Sequence, residues 1–184
     1  MPVNDLGISS PGRIHPRVDQ IGSRLEVWAV RTGLAGGAVQ RARLRAAGFH
    51  RMAARMIPDA PAADVERLAQ WITVLFHFDD EQDEGPMGRS ETVVSDTYAA
   101  LTAVIEGRPP HTRRASPPVI TAVAGLWPAT AFGMSQEWRH RFRDHLHRHR
   151  DAFLTQIAHR PHGTAPTAPH LTPEAASRCC SPST

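Results

Sequence analysis

The stretch Trp71-Ile72-Thr73-Val74-Leu75-Phe76-His77-Phe78-Asp79-Asp80-Glu81-Gln82-Asp83-Glu84 decides the reading of this chain. Its apolar residues continue a pattern that starts after Asp64. Val65, Leu68, Trp71, Ile72, Leu75 and Phe76 recur at intervals of three and four, the period of a helix with one buried face. The stretch then closes on D-D-x-x-D, at a helix end where negative charge is ordinarily avoided. At about 100° per residue, Asp79 and Asp83 fall about 40° apart, with Asp80 flanking them. Like charges within one turn cost roughly 0.2–0.5 kcal/mol per pair on an exposed helix. The negative end of the helix dipole adds to that cost. A hard cation would remove the conflict, since Mg²⁺ is bound through one or two carboxylates, waters and substrate phosphates. The plainer alternative is a solvated helix end running into the Gly85-Pro86 turn. An EF-hand is excluded, because the alternating acidic positions and the central glycine are missing.

Working outward, the chain reads as helices only. Val18, Ile21, Leu25 and Trp28 mark a first helix, starting after Pro16 and stopping near Gly33 or Gly36. A second is expected from about Ala38 to Met56, ended by Pro58, and the aspartate helix runs from about Ala62 to Asp83. A fourth begins after Ser90, with Val94, Tyr98, Leu101 and Ile105 on one face and Gly107 just past its end. Arg108 to Pro118 is a proline-rich loop. Val119 to Ala131 has helical character, with Pro128 expected to end or kink it. The last helix shows Trp138, Phe142, Leu146, His149, Phe153 and Ile157 at helical spacing behind a Ser135 N-cap. No β-alternation of any length occurs, so the fold class is all-α.

These segments divide the chain into a loose N-terminus at 1–13, a helical domain at 14–160 and a Pro/Ala/Ser-rich tail at 161–184. The tail lacks periodicity and is expected to be disordered. The 184 residues suffice for one domain with a substantial core. All 21 basic residues are arginine and the formal charge is only +3, a pattern closer to GC-rich codon usage than to a nucleic-acid surface. The adjacent Cys179 and Cys180 make neither a disulfide framework nor a zinc site. With no apolar leader and no run of 18 apolar residues, a cytoplasmic protein without membrane association is expected.

An apolar helix that carries Trp71 and ends in F-x-F-D-D-x-x-D-E resembles the first metal motif of class I terpene synthases of the bacterial type. Other segments are similar to that family as well. They include His15-Pro16 before the helix bearing Trp28, the Arg-rich stretch Arg41 to Arg55, Met134-Ser135-Gln136-Glu137-Trp138-Arg139, and Arg160 followed by Gly163 and Pro166. The similarity spans about residues 14 to 166 and implies the front half of the class I terpenoid synthase helical fold. It implies Asp79, Asp80 and Asp83 as ligands of Mg²⁺, Phe76 as a residue of the substrate pocket, with core packing as the rival reading of that ring, and an isoprenoid diphosphate as substrate. In such cyclases Mg²⁺ acts on the diphosphate leaving group, and ring faces stabilise the carbocation that remains.

The family's second metal motif, N-D-x-x-S-x-x-x-E, has no counterpart here. The only asparagine is Asn4, and the only acidic residue after Asp151 is Glu174. The downstream arginine and the C-terminal Arg-Tyr pair are also missing, since the only tyrosine is Tyr98. The chain therefore reads as an N-terminal half with a truncated or out-of-frame end, impaired as an enzyme and inclined to self-associate through exposed apolar faces. Two alternatives stay open. A prenyl diphosphate synthase would share the fold, but the Met87-Gly88-Arg89-Ser90 segment lacks that family's double arginine, and no Gly-Gly-Lys-x-Arg occurs. A non-catalytic helical remnant or interaction protein is the other. His145 and His149 share a face at i, i+4, yet Arg141, Arg143, Arg148 and Arg150 surround them, and a solvated basic face is expected. Arg89 is expected at the surface.

Overall fold

A computed structural model describes residues 12–83, 85–110 and 116–159. They form seven α-helices: α1 Val18–Thr32, α2 Ala38–Ala47, α3 Phe49–Met56, α4 Ala62–Asp83, α5 Glu91–Ile105, α6 Pro118–Ala131 and α7 Gln136–His159. A 3-10 turn, Pro86–Arg89, joins α4 to α5. Among the described residues there is no strand. The all-α architecture expected from periodicity is what the chain adopts. The tail at 161–184 and residues 1–11 lie outside the described residues.

Helix α4 is the axis of the fold. Val65, Ala69, Ile72 and Thr73 are buried along it, and α1, α3 and α6 all pack against it. From α1 come Ile21, Leu25 and Trp28, all buried. Each fully buried aliphatic side chain contributes roughly 1.5–3 kcal/mol relative to exposure. Ala53 and Ala54 of α3 are fully buried, so α3 approaches α4 with little side-chain bulk between them. The entry segment is pinned to α3 by the His15 amide, which donates to the Ala54 carbonyl at 3.0 Å. The second layer is α5, which packs on both α6 and α7.

One expectation needs correction, and one of the two outcomes expected at Pro128 is excluded. The helix read from Ala38 to Met56 is two helices, broken at Gly48, whose φ of +62° closes α2 and opens α3. A side chain at that φ would be strained, and glycine is not. Pro128 does not end α6, which runs on to Ala131. Proline leaves the Ala124 carbonyl without its helical donor, but Ala124 and Pro128 both lie on the exposed side, where water can replace it. Elsewhere the expected signals act as read. Gly107 closes α5 through bonds from the Gly107 amide to the Val104 carbonyl and from the Arg108 amide to the Ala103 carbonyl. Ser135 Oγ accepts the Trp138 amide at 3.1 Å and starts α7.

Candidate functional site

A tight return of the chain fixes the acidic end of α4. A Cβ on Gly85 would stand 2.7 Å from the Glu81 carbonyl oxygen and 2.9 Å from its Cα, so only glycine fits this return. Pro86 then opens the 3-10 turn, and Ser90 Oγ accepts the Val93 amide to begin α5. No basic residue occupies the last turn of α4. Asp79, Asp80 and Asp83 are all exposed there. Asp79 and Asp80 have no ion-pair or hydrogen-bond partner among the described residues. Among those residues, no three His, Cys, Asp or Glu side chains are gathered closely enough to hold a metal by themselves. What α4 offers is a partial oxygen site of one or two carboxylates, which suits a cation that keeps water and phosphate oxygens in its shell.

Beside this turn lies a hollow of about 590 Å³, walled by four helices. Helix α4 contributes Trp71, Val74, Leu75, Phe76, Phe78, Asp79 and Gln82. Helix α5 adds Leu101 and Ile105, α6 adds Val119 and Val123, and α7 adds Phe142, His145, Leu146 and His149. Asp79 thus reaches the hollow, whereas Asp80 and Asp83 do not line it. Phe76 is part of the wall and stacks on Phe49 of α3 at 4.8 Å between centroids. Leu75 and Phe76 are 62% and 46% exposed, so the hollow is open on that side. Opposite, Phe142 is held among rings, 4.8 Å from Trp127, 5.5 Å from Trp138 and 6.4 Å from Trp71. The Trp71 indole donates to Thr130 Oγ1 at 2.8 Å, which fixes its plane.

One polar chain interrupts the apolar wall. Gln82 Nε2 donates to the Tyr98 hydroxyl at 3.1 Å, and that hydroxyl in turn is hydrogen-bonded to His149 Nδ1. Tyr98 is fully buried and Gln82 nearly so. Burial pushes the tyrosine up to about 12, against the opposing pull of the Gln82 bond and Arg150, so the hydroxyl stays protonated. His140, His145 and His149 are exposed, in keeping with the solvated basic face expected of them, and that face also borders the hollow. His145 and His149 line the hollow, and His147 Nε2 meets Thr102 Oγ1 at 3.3 Å. Arg89 is exposed. Sequence reasoning missed Gln82 and the Tyr98 bond. The available signal was a glutamine four residues after Phe78, on the same helix face, in a motif otherwise made of acids.

A second hollow of about 590 Å³ lies behind the first, lined by the end of α5, the outer side of α6 and the start of α7. Its rim is charged and already paired. Arg143 reaches Glu106 at 3.7 Å, and Arg139 Nη2 donates to the Ala131 carbonyl at 2.8 Å.

Residues 70–171 match the family described as terpene synthase family 2, C-terminal metal binding. Pristinol synthase of Streptomyces pristinaespiralis is 29% identical over 157 residues, 84% of this chain and 42% of that enzyme. The (-)-beta-caryophyllene synthase of Saccharothrix espanaensis, described as (2E,6E)-farnesyl diphosphate cyclizing, is 31% identical over 73% of this chain and 37% of its own length. Among solved structures, linalool/nerolidol synthase from Streptomyces clavuligerus, in complex with 2-fluorogeranyl diphosphate, aligns with a TM-score of 0.67 and 25% identity. That alignment covers 90% of this chain and 54% of the enzyme. The chain spans less than half the length of these curated relatives. Among the described residues, no helix is long and apolar enough to cross a membrane.

Proposed function

The chain belongs to terpene synthase family 2, and on that premise we propose that it carries one wall and the first acidic motif of a site for an isoprenoid diphosphate. The observation that carries this reading is the junction of Asp79 with an aromatic-rich hollow of about 590 Å³. A diphosphate needs cation-bound oxygens at its head and dry, apolar surface along its chain, and α4 supplies both within two turns. Asp79, Asp80 and Asp83 are the residues proposed to hold Mg²⁺. When bound, the ion supplies Lewis acidity at the phosphate oxygens and offsets the charge of the leaving group. Asp79 brings that charge to the mouth of the hollow. Phe76, Phe78, Trp71 and Phe142 exclude water from the hydrocarbon tail, and their faces favour a nearby positive charge.

Within its 184 residues the chain has a single acidic metal motif, so the proposal for this polypeptide is binding without turnover. Mg²⁺ together with inorganic diphosphate should raise the melting temperature, since a ligand of the folded state alone stabilises it. Asp79→Asn should abolish that rise, and equal shifts in both proteins would defeat the assignment. Incubation with geranyl, farnesyl or geranylgeranyl diphosphate and Mg²⁺ should yield no cyclic hydrocarbon or alcohol by gas chromatography. Metal-dependent cyclic products lost in Asp79→Asn would show that the one motif is enough.

A further inference from the structure

The residue before Asp79 and the residue before Asp83 are held by the same side chain. Phe78 meets Tyr98 edge-on, with centroids 5.5 Å apart and planes at 75°. Gln82 donates to the Tyr98 hydroxyl at 3.1 Å. Phe78 and Gln82 are four residues apart and share one face of α4. Asp79 and Asp83 each come one residue later and so share the next face, about 100° further round. Fixing the first face fixes the angle at which the second is presented.

We infer that Tyr98 is a positioning residue for the acidic motif, anchored to α7 through His149 and setting the rotation of the last turn of α4. The inference rests on the metal reading above. Phenylalanine would fill the same apolar slot among Met87, Val94, Phe153 and Ile157. The hydroxyl is accounted for by its two partners, one beside Asp83 and the other on the far helix. It joins the acid-bearing turn to α7 across α5, at a helix end that has no basic residue of its own.

The test is titration of the 184-residue chain with Mn²⁺ in the presence of inorganic diphosphate, read by electron paramagnetic resonance below the melting temperature. Tyr98→Phe should weaken Mn²⁺ binding about 10- to 100-fold, as loss of a residue that orients a metal ligand does. Gln82→Met should do the same, and the double variant should lose less than the sum of the two single losses, because both remove the Gln82–Tyr98 bond. Ile21→Val, in α1 and outside the Tyr98 cluster, should lower the melting temperature and leave the Mn²⁺ affinity unchanged. Wild-type affinity in both Tyr98→Phe and Gln82→Met, alongside loss in Asp79→Asn, would reduce Tyr98 to packing and leave the metal reading standing. No diphosphate-dependent Mn²⁺ binding by the wild-type chain would overturn the metal reading and this inference together.

Discussion

The two hollows are equal in volume, about 590 Å³ each, and unlike in everything that decides chemistry. The first is apolar, open past Leu75 and Phe76, and ends at a carboxylate with no partner among the described residues. The second has arginines, but Arg143 is paired with Glu106 and Arg139 is committed to a helix carbonyl. A hollow whose charges already satisfy each other has little to offer an incoming anion. An exposed carboxylate with no partner beside apolar surface leaves its oxygens available. Volume alone does not separate the two; the state of their polar groups does.

Trp127 and Phe142 are the partition, with Trp127 facing the second hollow and Phe142 the first. Removing that partition is the most forceful way to break the contrast. Trp127→Ala takes out a buried ring that stacks on Trp138 and donates to the Ile105 carbonyl at 3.0 Å. Large aromatic truncations in cores cost about 3–5 kcal/mol. Urea unfolding should report a loss in that range, and a loss below about 1 kcal/mol, the size of an ordinary substitution, would mean the ring is not packed as described.

Legibility in the sequence depended on how far each signal had to reach. Periodicity located α1, α4, α5 and α7, because a buried stripe is written directly into the spacing of residues such as Val65, Ile72 and Val94. The break at Gly48 was not seen, since a glycine between two amphipathic runs is visible only once φ is known. Pro128 left two outcomes open, an end or a kink, for the opposite reason. Its local cost is real, and only the exposure of Ala124 shows how it is met. The acidic motif was plain from Asp79, Asp80 and Asp83, while Gln82 was hidden among them. Its bond is to Tyr98, 16 residues away on another helix, and no spacing rule within α4 reaches that far.

Opening is the second difference to probe. The exposed Leu75 and Phe76 leave the first hollow bordered by apolar surface, so two chains should associate there at high concentration. Leu75→Gln removes most of one leucine's transfer gain, about 1–2 kcal/mol, or roughly tenfold in the association constant. Sedimentation velocity over a concentration series should show the variant remaining monomeric further up the range. Equal association by variant and wild type would place the contact elsewhere and remove the first hollow from it.

The smallest expected effect belongs to the second hollow and is visible only through pH. The Arg108 side-chain bond, with further attraction from Arg108, Arg143 and His147, holds the Glu106 carboxyl below its ordinary 4.5, although burial acts the other way. A carboxyl lowered in the folded state binds protons less readily there than in the unfolded chain. Its contribution is therefore complete above about pH 4.5 and is lost as pH falls through the lower folded value. The group is exposed, and such pairs are worth about 0–1 kcal/mol. At pH 7, Glu106→Gln should lower the melting temperature by no more than about 4 °C, and at pH 3 the gap between variant and wild type should close. A gap that stays constant from pH 7 to pH 3 would mean that Glu106 acts by shape and not by charge. The second hollow would then lose the paired-ion character that sets it apart from the first.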